Sequence, residues 1–222
     1  YLLSGIRKHF HILPETEVTM ETNPGTIHED LGSSKLREIR EAGVNRISLG
    51  AQSFQPELLK ALERNHAPDD VGRAVEMLRD RIPRWSLDVI FGIPGSTLSD
   101  CLHDLNAAVA LSPSHLSCYG LVYEKGTSLW KQWQAGQVKA VDEDLEREMY
   151  ETVIDRLAQA GMLMYEICNH ALPGQESKHN LVYWANDAYF GFGLGAARYV
   201  EGVRSVIHDN SFRQQPPCIH GA

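Results

Sequence analysis

Three polar side chains stand near the ends of segments that are typical of buried β-strands: Glu21, Gln52 and Asp88. Asp88 interrupts an apolar run that opens at Trp85, and a carboxylate in a buried strand is costly unless something pairs with it. Parallel strands that alternate with helices direct the residues at their carboxyl ends toward one shared face. We therefore expect the three side chains to meet there and to bind a small polar ligand.

Arg64 follows the short helix after Gln52, and its guanidinium could neutralise a carboxylate of that ligand. Tyr119 and Glu124, after a later strand, are expected to line the same face. Each residue also has a structural alternative: Asp88 could cap loop amides, a lone Arg is often solvated, and a Tyr at a strand end often only packs. Three polar strand ends in succession favour the binding site.

Apolar periodicity predicts an α/β protein in which about five strands alternate with helices of ten or more residues. The glycines and proline of the loop at Gly92, Pro94 and Gly95 separate the Asp88 strand from its helix. The predicted helices are 2–10, 31–42, 56–62, 68–78, 99–111 and 142–160, and the predicted strands are 17–21, 46–50, 85–91, 115–121 and 162–167.

The composition excludes several classes of protein. The 222 residues carry a formal net charge of −8, which disfavours an electrostatic nucleic-acid partner. No apolar run is long enough to span a membrane, and no signal peptide opens the chain. Four scattered cysteines form no CxxC pair, so we expect a reducing cytoplasm. Because the chain begins at Tyr1 with a helix close behind, we expect an N-terminal part to be missing.

Beyond Gly174 the alternation stops. His179 and Tyr183 lie four residues apart, on one face if the segment is helical, and a His beside aromatic residues can ligate heme iron. A hydrogen-bonded structural His is the alternative. The glycines between Gly191 and Gly195 lack the GxGxxG spacing, which favours close backbone packing over a phosphate loop. The predicted regions are a barrel at 1–170, a C-terminal segment at 171–208 and a disordered or non-native tail at 209–222.

These residues resemble the radical S-adenosylmethionine (SAM) family of oxygen-independent coproporphyrinogen III oxidases and HemW-type heme chaperones. The resemblance covers nearly everything from Tyr1 to Arg204. The phrases that match the family, in the same order, are Glu21–Thr26, Arg46–Phe54, Asp88–Gly95, Tyr165–Asn169 and His179–Trp184.

The resemblance implies a partial (β/α)6 TIM-like barrel that lacks its N-terminal unit and has a C-terminal extension. It places Glu21, Gln52, Arg64 and Asp88 where the family contacts SAM. The family's CxxxCxxC motif, which holds a [4Fe–4S] cluster, would lie upstream of Tyr1. The resemblance therefore assigns no metal ligand and no catalytic residue to this chain, and this segment alone is expected neither to hold the cluster nor to cleave SAM.

Two functions from different classes follow from the resemblance. His179–Trp184 is similar to the chaperone branch, which implies a protein that binds heme, with His179 and Tyr183 as candidate contacts, and delivers it to acceptor proteins. The alternative is an oxidase that decarboxylates coproporphyrinogen III in porphyrin biosynthesis. The phrase at His179 favours the chaperone.

Overall fold

Strands and helices alternate along most of the chain, as the periodicity predicts. The computed structural model describes residues 2–27, 29–208 and 211–214. The helices are α1 (Leu2–His9), α2 (Glu29–Ala42), α3 (Pro56–Ala61), α4 (Pro68–Arg79), α5 (Leu98–Ala110), α6 (Ser128–Gln134), α7 (Glu143–Gln159) and α8 (Lys178–Trp184). The strands are β1 (Thr19–Thr22), β2 (Arg46–Gln52), β3 (Arg84–Phe91), β4 (His115–Gly120), β5 (Leu163–Met164), β6 (Asn169–Ala171), β7 (Ala197–Val200), β8 (Val203–His208) and β9 (Ser211–Gln214).

The chain divides into two units, Tyr1–Glu176 and Ser177–Ala222. The first contains a six-stranded sheet in the order β1-β2-β3-β4-β6-β5. β1 to β4 are parallel neighbours, and helices connect them, as the α/β prediction requires. The carboxyl ends of these four strands therefore meet at one edge of the unit, where parallel βα folds place their ligands.

The two faces of the central strands differ in chemistry. Ile47 and Leu49 of β2 and Leu87 of β3 are fully buried against the helices. Burial of that surface contributes roughly 25 cal/mol per Å², so this side forms the core. The residues that alternate with these along the strands face away from the helices and include polar ones. Ser48 of β2 and Ser86 of β3 are hydrogen-bonded to each other at 2.9 Å. The strands thus present a polar inner face rather than the uniformly apolar one that is usual for buried parallel strands.

The predicted strand 162–167 is wrong in its extent. β5 has only two residues, and β6 lies antiparallel between β4 and β5. The carboxylate of Glu166 accepts hydrogen bonds from the Cys168 amide at 3.2 Å and from the Asn169 side chain, and the Tyr150 hydroxyl donates to the Ile167 carbonyl at 3.0 Å. These bonds stabilise a bend where the pattern predicted a continuous strand.

The boundary between the units falls after Glu176 rather than after residue 170. The Leu172 amide bonds to the Ser114 carbonyl at 3.0 Å, and Arg84 bonds to Gln175 and Glu176 at 3.2 and 3.0 Å. This stretch therefore belongs to the first unit. No helix among the described residues is long and apolar enough to cross a bilayer.

The second unit contains α8 and the antiparallel sheet β7-β8-β9. Ser177 begins α8, because its hydroxyl accepts a hydrogen bond from the Asn180 amide at 3.4 Å. β9 lies within the tail that was expected to be disordered, so for Ser211–Gln214 that expectation is wrong. Residues 209–210 and 215–222 lie outside the described residues.

Candidate functional site

A cavity of about 690 Å³ opens at the carboxyl ends of β1 to β4. Its size falls within the range of roughly 300–1,000 Å³ that is usual for small-molecule sites. The cavity brings together every residue that the sequence predicted for this face, namely Glu21, Gln52, Arg64, Asp88, Tyr119 and Glu124. The polar strand ends therefore share one space, and their role in binding stays a prediction.

Asp88 is the most constrained of these groups. Its Oδ1 accepts a hydrogen bond from the Ser48 hydroxyl at 2.8 Å, and Ser117 lies beside it in the register of β3 and β4. Burial raises the pKa of the Asp88 carboxyl, the two serine hydrogen bonds oppose that rise, and nearby Glu21 adds to it. The site thus holds a half-buried acid whose pKa is shifted by named neighbours.

Gln52 ends β2 in an unusual conformation. Its φ is +64°, and the register between β2 and β3 shifts between Gly50 and Gln52. A non-glycine residue in the left-handed region is sparsely populated, and such strain concentrates at functional sites. Gly50 makes the arrangement possible, because a Cβ at that position would lie only 2.7 Å from Nε2 of Gln52.

Asp104 supports the loop that follows Gln52 and was missed by the sequence analysis. It is buried on α5, and its Oδ1 accepts from the Phe54 amide at 2.9 Å and from the Gln55 side chain at 3.1 Å. Burial raises the pKa of Asp104, while hydrogen bonds from Ser53, Phe54 and Gln55 oppose the rise. The available signal was an acid on the buried stripe of α5, beside Cys101, Leu105 and Ala108.

Glu21 and Arg64 are exposed on the cavity wall, and neither side chain has a hydrogen bond or ion pair within the described part of the chain. Their hydrogen-bonding capacity is therefore open to a ligand. Carboxylates accept bonds from hydroxyl and amine donors, and a guanidinium pairs with a carboxylate. Glu63, next to Arg64, accepts from Ser128 of α6 at 2.6 Å, which ties α6 to this rim.

A second polar cluster, also missed, lies at the amino ends of the strands. Glu17 lies 3.7 Å from a guanidinium nitrogen of Arg46 and 2.9 Å from one of Arg84. The Glu17 and Arg46 side chains are only 5% and 4% exposed. Burial lowers the pKa of Arg46, and the Glu17 charge opposes this. The Glu17 carboxylate is paired with both guanidiniums and is not open to a ligand, so the cluster is structural.

In the second unit, His179 and Tyr183 lie on one turn of α8, with ring centroids 4.8 Å apart and edge-to-face. Tyr183 meets Tyr189 in the same way at 4.6 Å, and burial raises the pKa of Tyr183. The helical spacing is thus confirmed, and a role in heme binding stays a prediction. A side chain at Gly191 would collide with the Ala197 carbonyl, which supports close packing there.

Comparison with known proteins matches these observations. The model of the radical SAM superfamily matches residues 2–108. The heme chaperone HemW of Bacillus subtilis (strain 168) is 42% identical over 192 residues, which are 86% of this chain and 50% of that protein. HemW of Escherichia coli (strain K12) is 37% identical over 196 residues, 88% of this chain and 50% of its own length. The chain spans about half the length of these curated relatives.

Among solved structures, the radical SAM enzyme coproporphyrinogen III oxidase (HemN) from Escherichia coli resembles the chain with a TM-score of 0.77. It is 17% identical, and the match covers 93% of this chain and 50% of that one. At this identity the likeness shows the fold, a TIM-like barrel present here in part. The chain belongs to the radical SAM family that contains the HemW heme chaperones and the HemN-type coproporphyrinogen III oxidases.

Membership of this superfamily implies SAM and a [4Fe–4S] cluster as cofactors. The carboxylates of Glu21 and Asp88, the amide of Gln52 and the guanidinium of Arg64 fit SAM, which has ribose hydroxyls, an amine and a carboxylate. The described residues do not form a comparable set of ligands for the [4Fe–4S] cluster. Over the described residues, no group of three or more His, Cys, Asp or Glu is arranged to hold a metal ion, and Cys101 and Cys118 are buried in the core.

Proposed function

We propose that the chain is the SAM-binding part of a heme chaperone, a protein that binds heme and delivers it to acceptor proteins. The observation that carries this proposal is the identity of 36–42% to curated HemW chaperones over most of the chain. The oxidase resembles the chain in fold at 17% identity, which carries no inference about chemistry. Decarboxylation of coproporphyrinogen III is the alternative function.

In this proposal the cavity binds SAM. Arg64 pairs with the methionyl carboxylate, and Glu21 accepts hydrogen bonds from ribose hydroxyls. Both side chains are exposed and make no hydrogen bond within the described part of the chain, so they can bond to a ligand. Asp88 and Gln52 complete the polar wall, and the Ser48 hydroxyl holds Asp88 in place. SAM would supply the sulfonium group that characterises this superfamily.

Heme is the cargo, and we assign its contact to α8 of the second unit. The rings of His179, Tyr183 and Tyr189 form a continuous edge-to-face series, with an imidazole able to ligate iron and flat rings able to pack on a porphyrin. Around them several apolar side chains of this unit are more than half exposed: Trp184, Phe190, Phe192 and Leu194. An apolar macrocycle would cover such a surface.

An anaerobic hemin titration, followed in the Soret band, tests the proposal on the full chain. We expect saturable binding, at least about tenfold weaker in His179→Ala because a lost ligand costs more than about 1.4 kcal/mol. His11→Ala is the matched control, since His11 is an exposed histidine of the first unit, and it should bind as the wild type does.

Two other results would be informative. Binding that is unchanged in His179→Ala would remove His179 as ligand and leave the chaperone in place. No saturable binding would contradict the chaperone, and coproporphyrinogen III turnover by the cluster-loaded, complete protein would then test the oxidase.

A further inference from the structure

Three serines lie near the half-buried carboxylate of Asp88. They come from three neighbouring strands, Ser48 from β2, Ser86 from β3 and Ser117 from β4, and they lie on the inner face away from the helices. The strand register sets Ser117 directly beside Asp88 and Ser86 directly beside Ser48. Parallel strands normally bury apolar residues at such positions, so the hydroxyls need an explanation.

The hydrogen-bond directions follow from proton counting. A serine hydroxyl has one proton to donate. Ser48 donates it to Asp88 Oδ1 at 2.8 Å, so its 2.9 Å bond to Ser86 must be one that it accepts. Ser86, Ser48 and Asp88 therefore form a directed chain that ends on the carboxylate. Ser117 is the register partner of Asp88 on β4, and its hydroxyl also lowers the pKa of that carboxyl.

We propose that Ser48 and Ser117 are positioning residues that keep Asp88 an ionised acceptor aimed into the SAM cavity. The inference rests on the proposed function, because it takes SAM as the ligand of that cavity. Donors that bind the charged form of an acid favour that form. An ionised Asp88 can accept a hydrogen bond from the ligand, whereas a protonated one would donate where the ligand also donates.

The other charged and titratable groups that face Asp88 do not remove the need for the serines. Glu21 on β1 raises the pKa of Asp88, and Arg46 on β2 lowers it by less than either serine. Cys118 and Tyr119 on β4 are also close enough to interact, and burial raises the pKa of both, that of Tyr119 to about 12. Both remain neutral near pH 7, so the hydroxyls are the main counterweight to burial.

Isothermal titration of the full chain with SAM between pH 5 and 8 tests this inference. For the wild type we expect affinity to fall as the pH drops and Asp88 takes up a proton. In Ser48→Ala that fall should begin at higher pH, so the variant binds about fivefold more weakly at the acidic end, for a lost bond worth ~1 kcal/mol, and nearly normally at pH 8. Ser117→Ala should behave in the same way.

Two further variants separate positioning from simple structural support. Ser48→Thr keeps the hydroxyl and should restore the wild-type pH profile, which a packing role would not explain. Asp88→Asn cannot titrate, so its affinity should be weaker and should keep only the pH dependence of SAM's own amino group. Circular dichroism at each pH verifies that the variants are folded.

The outcomes distinguish this inference from the function on which it rests. If the wild type does not bind SAM, or Asp88→Asn binds as well as the wild type, the SAM assignment of the cavity fails. If Asp88→Asn weakens binding while Ser48→Ala and Ser117→Ala keep the wild-type pH profile, the assignment stands and the positioning role of the serines is overturned.

Discussion

The two ends of the parallel strands use the same kinds of charged residue in opposite ways. At the amino ends, Glu17 pairs with Arg46 and Arg84 within 3.7 and 2.9 Å. At the carboxyl ends, Glu21 and Arg64 line the cavity without a side-chain partner among the described residues. Charges that satisfy one another stabilise the fold, whereas charges with unused hydrogen-bonding capacity are available to a ligand.

The difference between the two ends lies in how exposed the charged side chains are, not in which residue types are present. The side chain of Glu17 is 5% exposed, and a buried ion is costly without a partner. Glu21 and Arg64 are exposed to water, which solvates them at little cost until a ligand replaces it. Asp88 lies between these cases: it is half-buried, and the Ser48 hydroxyl rather than a cation bonds to its carboxylate. The comparison therefore predicts opposite effects of mutation at the two ends.

The largest expected effect is on stability and comes from Glu17→Ala. The substitution leaves the guanidinium of Arg46, 4% exposed, without its neighbouring counter-charge. Breaking a buried pair costs roughly 3–5 kcal/mol, and we expect about 3 kcal/mol in the free energy of unfolding because Arg84 is partly solvated. Urea denaturation measures it. Glu15→Ala, at an exposed acid two residues away, should change the stability by no more than about 0.5 kcal/mol.

At the other end, Asp88→Asn should lower SAM affinity about tenfold, or about 1.4 kcal/mol, since a charged acceptor becomes neutral. Its effect on folding should have the opposite sign to that of Glu17→Ala. The pKa of Asp88 is raised above its ordinary 3.8, so ionisation costs the folded state stability. That stability is complete below the ordinary value and is lost as the pH rises through the folded pKa.

The free energy of unfolding, measured from pH 3.5 to 7, therefore checks whether Asp88→Asn stabilises or destabilises the fold. Wild-type stability should decrease relative to that of Asp88→Asn as the pH rises, and at pH 7 the variant should be at least as stable. A variant that is clearly less stable than the wild type at pH 7 would place Asp88 with Glu17 among residues that stabilise the fold.

Much of this site could be predicted because strand ends are visible in a sequence. The alternation of strands with helices predicted β2, β3 and β4, and Asp88 stands out as a polar residue in the apolar run of β3. That reasoning brought Glu21, Gln52 and Asp88 to one cavity, as found. Their partners were harder to predict, because Ser48 and Ser117 are ordinary strand residues until the register shows which carboxylate they face.

The failures have a common physical origin in hydrogen bonds between distant residues. The bend after β5 depends on the side chain of Glu166 and on Tyr150, and the unit boundary depends on Arg84 reaching Gln175. None of these interactions leaves a periodic signal. Asp104 was missed for the same reason, because it accepts a hydrogen bond from the amide of Phe54, which lies 50 residues earlier in the chain.

The smallest predicted effect concerns the position of the Gln52 amide at the carboxyl end of β2. Gly50→Ala adds a methyl carbon only 2.7 Å from Nε2 of Gln52, so the Gln52 amide must move while the core behind β2 is untouched. We expect SAM affinity to fall about threefold, or about 0.6 kcal/mol, with little change in stability.

Gly72→Ala is the matched control, because nothing lies within 4 Å of its added carbon. In helix α4 that change should stabilise the protein by up to about 1 kcal/mol and leave SAM binding unaltered. Equal affinities for the two variants would mean that Gln52 does not contact SAM, and that its left-handed conformation serves only to end the strand.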